Sequence, residues 1–162
     1  MEQGTPKPPE RERTPRERLL ELERSGQYVF HGSARSIETL EPRQGRDFSE
    51  RTGRMEPDGA PAVAATEHAD VAIFRALVNP EQFPGSGYGS GFGVADGKHH
   101  FEATQEVLDG IKDKAGYVHV LLKRGFQPVR GEWRAEEPVR PESIVRVTAD
   151  DLPIDEIALK ND

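Results

Sequence analysis

Short apolar runs alternate with polar stretches along the chain, and their spacing predicts both helices and strands. The segment Thr14-Pro15-Arg16-Glu17 combines an N-cap residue, a first-turn proline and a capping-box glutamate, so a helix is expected to begin there and to end at Ser25-Gly26. Apolar residues then recur every three or four positions over 67–78, which predicts a second, amphipathic helix ended by Asn79-Pro80. A third helix is predicted over 104–114.

Strands are predicted where apolar and β-branched residues gather in runs too short for a helix. The first is Tyr28-Val29-Phe30, which is expected to end in a tight turn at His31-Gly32-Ser33. The polar stretch 41–60 and the glycine-rich stretch 85–93 are predicted to be loops. Together with two or three helices, these strands assign the loop-rich chain to the α+β class. The five predicted strands cover residues 28–30, 62–65, 116–122, 132–136 and 144–147.

Length and composition limit the classes of protein to consider. The 162 residues suit a single domain, predicted over 14–156, with a disordered Pro-rich arm at 1–13 and an acidic solvated tail at 157–162. No apolar run approaches the ~20 residues of a membrane span, and the polar N-terminus shows no signal peptide, so a cytoplasmic location is expected. The lack of cysteine excludes disulfides and thiolate chemistry. The net charge of −7 disfavours nonspecific binding to nucleic acid or anionic membrane.

Polar residues stand at three predicted strand ends, where burial alone does not explain them. His31-Gly32-Ser33 follows the first strand, Thr66 follows the second, and Glu132 opens the fourth. In their order and spacing, the segments YVFHGS, AVAATEHADVAIFRAL and GEWRAEEPVRPESIVRV resemble the three motifs of the ADP-ribosyltransferase superfamily. The resemblance spans residues 27–148 and implies a split β-sheet, NAD as substrate and no metal.

The resemblance also implies a role for each motif residue. Glu132 corresponds to the family's catalytic glutamate, which orients the ribose and stabilises the positive charge that develops as the nicotinamide bond breaks. Glu136, four residues further along the predicted strand, is the alternative carboxylate. His31 is expected to hydrogen-bond NAD ribose. The backbone of Gly32, which a ligand is able to approach closely for want of a side chain, is expected to hold the nicotinamide carboxamide.

Further residues are expected to complete the NAD pocket. Ser33 and Thr66 would line it, and Arg43, with Arg46 and Arg51 in the same polar stretch, would meet the pyrophosphate. The sequence departs from the His-type branch of the family at the second strand, where AVAAT has no tyrosine to stack on nicotinamide. The aromatic ring that stacks on nicotinamide is therefore expected at Tyr88, Phe92 or Tyr28.

The same residues also have purely structural interpretations. His31 would then be an ordinary turn histidine, Thr66 the N-cap of the 67–78 helix, and Glu132 the partner of Arg130 or Arg134 in an ion pair. Trp133 alternates with Glu132 and is expected to face the core on the opposite side of the strand.

Two other motifs carry no predicted site. The glycine-rich stretch lacks the preceding strand that a dinucleotide-binding fingerprint requires, and His99-His100 is expected to be a solvated loop pair without metal.

The expected activity is the transfer of ADP-ribose from NAD to an unknown macromolecular acceptor. One alternative is a catalytically degenerate module of the same fold that binds a nucleotide or a protein. A second is an RNA 2′-phosphotransferase-like enzyme, which the net charge of −7 disfavours.

Overall fold

The computed structural model describes residues 13–44, 46–49, 51–57, 59–83, 90–95, 98–152 and 157–159. The predicted arm, apart from Arg13, lies outside these residues, and so does Tyr88. The described chain is mixed α+β, as its sequence predicts. Its helices are α1 (Pro15–Ser25), α2 (Ala69–Leu77) and α3 (Gln105–Gly110), and its strands are β1 (Tyr28–Ser33), β2 (Arg46–Ser49), β3 (Arg54–Pro57), β4 (Val63–Ala65), β5 (Ser90–Ala95), β6 (Lys98–Ala103), β7 (Ala115–Leu122), β8 (Gln127–Val129), β9 (Glu132–Ala135), β10 (Ser143–Thr148) and β11 (Ala158–Leu159).

The first helix forms as its local sequence predicts. The Thr14 hydroxyl accepts the backbone N–H of Glu17, and the Glu17 carboxylate in turn accepts the backbone N–H of Thr14 at 3.0 Å. Gly26 ends α1 in the left-handed conformation, at a φ of 73°. At each end of α1, backbone groups that lack a partner within the helix are therefore hydrogen-bonded by residues only three positions away.

An antiparallel sheet, in the order β1-β7-β10, carries α2 on one face. Two glycines on that face let the helix lie directly against the strands. A Cβ on Gly32 would lie 2.1 Å from the backbone oxygen of Ala72, and one on Gly116 would lie 2.3 Å from the backbone oxygen of Ala76. Gly32 is therefore required by the contact between β1 and α2, a reason its sequence context did not suggest.

A second antiparallel sheet, in the order β4-β9-β8, meets the first beside β1. The two sheets are joined where Phe30 and Thr66 exchange backbone hydrogen bonds of 2.7 and 2.9 Å. In the part of the chain that the structure describes, β1 and β4 share no backbone pair beyond this one. The strands therefore separate beyond this pair, after Phe30 in β1 and before Thr66 on the β4 side, and leave a cleft between the sheets.

Apolar side chains fill both faces of the first sheet. The larger core lies between the sheet and the helices and includes Phe30, Ile73 and Leu77. The smaller core lies on the opposite face and includes Val29 and Leu121. Because Phe30 and Val29 are neighbours in β1, they point to opposite faces and each contributes to a different core.

Four sequence predictions of local structure need correction here. Within the glycine-rich stretch 85–93, residues 90–93 are not a loop, because they belong to β5. His31-Gly32-Ser33 does not form a tight turn, because these residues continue β1 and pair with residues 117–119 of β7. Residues 41–60 are not a long loop throughout, since β2 and β3 form an antiparallel hairpin within them. His99-His100 is not a loop pair either, because both residues lie in β6, which pairs with β5.

Helix α1 is tied to the start of α2 by charged side chains. Arg16 donates two hydrogen bonds to the Asp70 carboxylate, at 2.8 and 2.9 Å, and the Glu23 carboxylate accepts the backbone N–H of Ala69 at 2.6 Å. Leu19 is fully buried between the helices and the sheet. The first helix is thus part of the packed structure that supports α2.

Two remaining observations concern the chain end and the helices. Within the segment expected to be a solvated tail, Ile157 is buried and β11 pairs in parallel with β6. Among the described residues, no helix is both long enough and apolar enough to cross a membrane.

Candidate functional site

His31 lies at the point where β1 and β4 separate. If β4 continued beside β1, the antiparallel register set by Phe30 and Thr66 would place the next hydrogen-bonded pair at Gly32 and Ala64. Instead, the carbonyl oxygen of Ala64 lies 2.8 Å from Nδ1 of the His31 ring. The imidazole therefore takes the place of a backbone rung and holds the cleft open.

The hydrogen bond to Ala64 determines which nitrogen of His31 carries a proton. A carbonyl oxygen only accepts, so Nδ1 must donate, and in the neutral ring Nε2 is left as an acceptor. Burial lowers the pKa of His31, and the positive charges of Arg75 and Arg43 lower it further, against the opposing effect of the Ala64 hydrogen bond. Near neutral pH, Nε2 of His31 is thus suited to accept a hydrogen bond from a ligand hydroxyl.

The backbone of Gly32 faces the same cleft. Phe30 directs its N–H and C=O toward Thr66, and in an extended strand the residue two positions on directs its own groups to the same side. Gly32 therefore presents one donor and one acceptor to the cleft. Within the described residues, neither group has a backbone partner on that side.

Glu132 enters the cleft from the second sheet. It opens β9 directly after a two-residue turn, in which Arg130 and Gly131 both have positive φ, at 51° and 83°. The pairing of β9 with β4 places Glu132 opposite Thr66, one position beyond the last pair, Ala65 with Trp133. The carboxylate thus lies across from the residue at which β1 and β4 separate.

Arg134 holds one oxygen of the Glu132 carboxylate. Its Nε and Nη2 atoms both donate to Oε2 of Glu132, at 3.0 and 2.9 Å. In the described part of the chain, Oε1 of Glu132 has no recorded partner. The ion pair considered from the sequence is therefore confirmed for Arg134, and it leaves one carboxylate oxygen for a ligand.

Two cavities border these groups. The helix-side cavity, of about 540 Å³, lies against α2, with an apolar wall of Val71, Phe74 and Val78. The loop-side cavity, of about 390 Å³, lies against the segment after β1 and is more polar. His31 and Glu132 border both cavities, as does Ala64. A ligand that spans the cleft would therefore pass between the imidazole and the carboxylate.

Most of the residues predicted from the sequence meet at this cleft. Gly32 and Thr66 border the helix-side cavity, and Ser33 and Arg43 border the loop-side cavity. Glu136 is exposed just beyond the end of β9 and borders neither cavity. Glu136 was the alternative carboxylate only if the strand continued through it, and β9 ends one residue earlier, at Ala135.

The aromatic and basic candidates divide in a similar way. Tyr28 packs against the larger core and borders neither cavity, and Phe92 lies in β5. Arg51 borders neither cavity, and the side chain of Arg46 lies outside the part of the chain that the structure describes. Trp133 packs against the smaller core, on the opposite side of β9 from Glu132, as predicted.

Thr66 does not cap α2 as the sequence indicates. Its hydroxyl accepts the backbone N–H of His68 at 3.1 Å, which closes a turn before the helix. The helix itself begins at Ala69, whose N–H is accepted by Glu23 of α1. A carboxylate from a distant part of the chain has therefore taken the capping role.

Sequence reasoning missed His119, which is fully buried beside His31 in β7. The backbone N–H of Ile37 donates to Nε2 of His119 at 3.0 Å, so Nδ1 carries the proton and donates to the His31 carbonyl at 3.0 Å. Burial lowers the pKa of His119, although its bond to the His31 carbonyl acts in the opposite direction. A histidine inside an apolar strand gives no signal beyond that of an ordinary core residue.

Metal binding is not indicated by the arrangement of side chains that the structure describes. Among those residues, no group of three or more histidine, aspartate or glutamate side chains is placed to hold a metal ion.

Comparisons of the chain with models of protein families, with curated proteins and with solved structures gave no match.

Proposed function

We propose that this protein is an NAD-dependent ADP-ribosyltransferase that binds NAD across the cleft between its two sheets. The observation that carries the proposal is the convergence of three groups at the cleft. They are the backbone of Gly32, which has no backbone partner on the cleft side among the described residues, the acceptor nitrogen of His31 and the carboxylate of Glu132. Gly32 complements the carboxamide of NAD, and His31 and Glu132 complement the ribose next to it.

The backbone of Gly32 complements a carboxamide. A carboxamide has a carbonyl acceptor and an amide donor along the same edge, and these match the N–H and C=O that a strand residue directs to one side. The apolar wall of the helix-side cavity, formed by Val71, Phe74 and Val78, offers a nonpolar surface to an aromatic ring beside it. Nicotinamide would therefore lie in the helix-side cavity.

The two cavities also divide the rest of NAD. With nicotinamide on the α2 side, the ribose next to it would lie near His31 and Glu132, which border both cavities. The ADP portion would extend into the loop-side cavity, where Arg43 is able to pair with phosphate oxygens. His31 would accept a hydrogen bond from a ribose hydroxyl through Nε2.

The reaction follows from this placement. The bond between the ribose C1′ and the nicotinamide nitrogen breaks, and its electron pair neutralises the pyridinium ring. Positive charge then develops at C1′, and the Glu132 carboxylate stabilises that charge while its Oε1 accepts a hydrogen bond from a ribose hydroxyl. A nucleophilic group of the acceptor forms the new bond to C1′ and gives up its proton to water.

Nicotinamide release from NAD by the purified protein tests this function. We expect Glu132→Gln to lower kcat by about 100-fold to 1,000-fold, because the substitution removes the negative charge that stabilises the transition state. His31→Ala should mainly weaken NAD binding. Glu136→Gln is the matched control, since it makes the same chemical change on the same segment outside both cavities, and it should leave the rate unchanged.

The same experiment separates the enzyme from a binding module. The absence of a tyrosine in β4 favours a module that binds a nucleotide without cleaving it. That module would show an NAD-induced rise in Tm, no nicotinamide release, and the same NAD affinity in Glu132→Gln as in the wild type. Neither release nor a shift in Tm would refute NAD binding altogether.

A further inference from the structure

We infer that Arg134 is a positioning residue that turns the Glu132 carboxylate toward the substrate ribose. The inference rests on the proposed function, because it assumes that Glu132 acts on NAD. Its basis is the contact of two guanidinium nitrogens of Arg134 with a single oxygen of the Glu132 carboxylate, made by an arginine side chain that is 18% exposed.

Both donors of Arg134 reach the same oxygen. Nε and Nη2 lie 3.0 and 2.9 Å from Oε2 of Glu132. A carboxylate held through one oxygen by two donors loses much of its freedom to rotate, and its other oxygen acquires a fixed direction. Oε1 is the atom of Glu132 that would meet the ribose hydroxyl.

Arg134 is held in place more firmly than Glu132. Its side chain is 18% exposed, against 37% for that of Glu132. It lies in the central strand of the β4-β9-β8 sheet, where it is opposite Ala64 on one side and Gln127 on the other. The guanidinium also lies close to Gly59, where a Cβ would come within 3.3 Å of Nη1. The more exposed glutamate is therefore held by the less exposed arginine.

The positive charge of Arg134 has a cost as well as a benefit. The positive charge of Arg134 weakens the electrostatic stabilisation that Glu132 gives to C1′. The same contact keeps Oε1 of Glu132 directed toward the ribose. Displacing a reacting group by about 1 Å is able to slow an enzyme by about 100-fold. We therefore expect orientation to outweigh the loss of field, so that removing Arg134 slows the reaction.

Steady-state nicotinamide release by the full chain tests this role, with Arg134→Gln and Arg134→Lys measured beside Glu132→Gln. Arg134→Gln should lower kcat by about 100-fold with little change in KM, because the interaction affects the transition state more than binding. Arg134→Lys keeps the charge but not the forked pair of donors, so it should recover only part of the rate. Arg140→Gln, an exposed arginine outside both cavities, is the matched control.

Chemical rescue separates positioning from general support of the fold. Millimolar guanidinium chloride should raise the rate of Arg134→Gln, relative to the same ionic strength of sodium chloride, without raising that of Arg140→Gln or Glu132→Gln. Each variant is assayed below its own Tm, and Arg134→Lys serves where Arg134→Gln does not fold.

The outcomes distinguish the two proposals. If Glu132→Gln is inactive while the Arg134 variants match the wild type or exceed it, the positioning role is overturned and the proposed function stands. If the rate falls in the Arg134 variants without rescue by guanidinium, the role is also overturned, in favour of structural support alone. If wild type and Glu132→Gln release nicotinamide equally, or not at all, the proposed function fails and the role of Arg134 fails with it.

Discussion

The substitution Gly32→Ala separates two reasons for a glycine in β1. The added Cβ would lie 2.1 Å from the backbone oxygen of Ala72 and 2.8 Å from the backbone nitrogen of Ala76. Both atoms belong to the main chain of α2, so no side-chain rotation relieves the contact. To reach 3.4 Å, the lower limit of an ordinary contact, the oxygen would have to move away by about 1.3 Å.

The energies predict a clear loss of stability. Overpacking of this kind costs about 3 kcal/mol, while replacing a strand glycine by alanine returns about 0.5–1 kcal/mol of chain entropy. The free energy of unfolding of Gly32→Ala should therefore fall by about 2 kcal/mol or more. For a chain of this size, the corresponding decrease in Tm is about 4–8 °C.

Urea and thermal unfolding, followed by circular dichroism, measure this loss. Ser33→Ala is the control, because Ser33 is the next residue of β1, is half-buried and points away from α2. It should cost no more than about 1 kcal/mol, for the bond its hydroxyl accepts from the Arg35 N–H. If Gly32→Ala were as stable as Ser33→Ala and only lost affinity for NAD, close approach of a ligand would be the sole reason for the glycine, and the packing argument would be wrong.

Three further predictions concern other parts of the molecule. Arg130→Asn should raise the stability to urea by about 1 kcal/mol, because asparagine suits the left-handed turn before β9, and an unchanged or lower stability would contradict this. The lowered pKa values of His31 and His119 favour their neutral rings in the folded state, so stability present above pH 6.5 should be lost as the pH falls through those values. In urea titrations across that range, the free energy of unfolding of His119→Gln should fall by less than that of the wild type. An equal fall in the two proteins would rule out a contribution from the His119 ring. Asp70→Asn should cost about 1 kcal/mol through its partly exposed pair with Arg16, and additive losses in a double-mutant cycle would show that the pair contributes nothing.

Features fixed by neighbouring residues were predicted well from the sequence. The capping box of α1 and its glycine stop depend on contacts within a few positions, and the apolar spacing of α2 depends on one helix face. The strand β7 was predicted within one residue of its observed start, because its apolar run is long. Local chemistry was sufficient in these places.

Features fixed by distant residues were predicted less well. His31-Gly32-Ser33 contains nothing apolar, yet pairing with β7 keeps it extended. The start of α2 was misplaced because its cap is Glu23, 46 positions earlier in the chain than the N–H it accepts. At the site, the order of the motifs placed His31, Gly32 and Glu132 near one another, but the contact between Ile37 and His119 joins residues 82 positions apart without any local signal.

The contacts between α1 and α2 limit how far the chain can be truncated from its N-terminal side. A fragment that begins at Tyr28 would keep the eleven strands that the structure describes, the two cavities beside His31 and every residue proposed to touch NAD. It would nevertheless lose the carboxylate that accepts the Ala69 N–H, the guanidinium that pairs with Asp70, and the fully buried side chain of Leu19. The helix that walls one of the cavities would then start without its cap and with an open groove along its side. The smallest fragment expected to keep the site in its native form begins at or before Thr14.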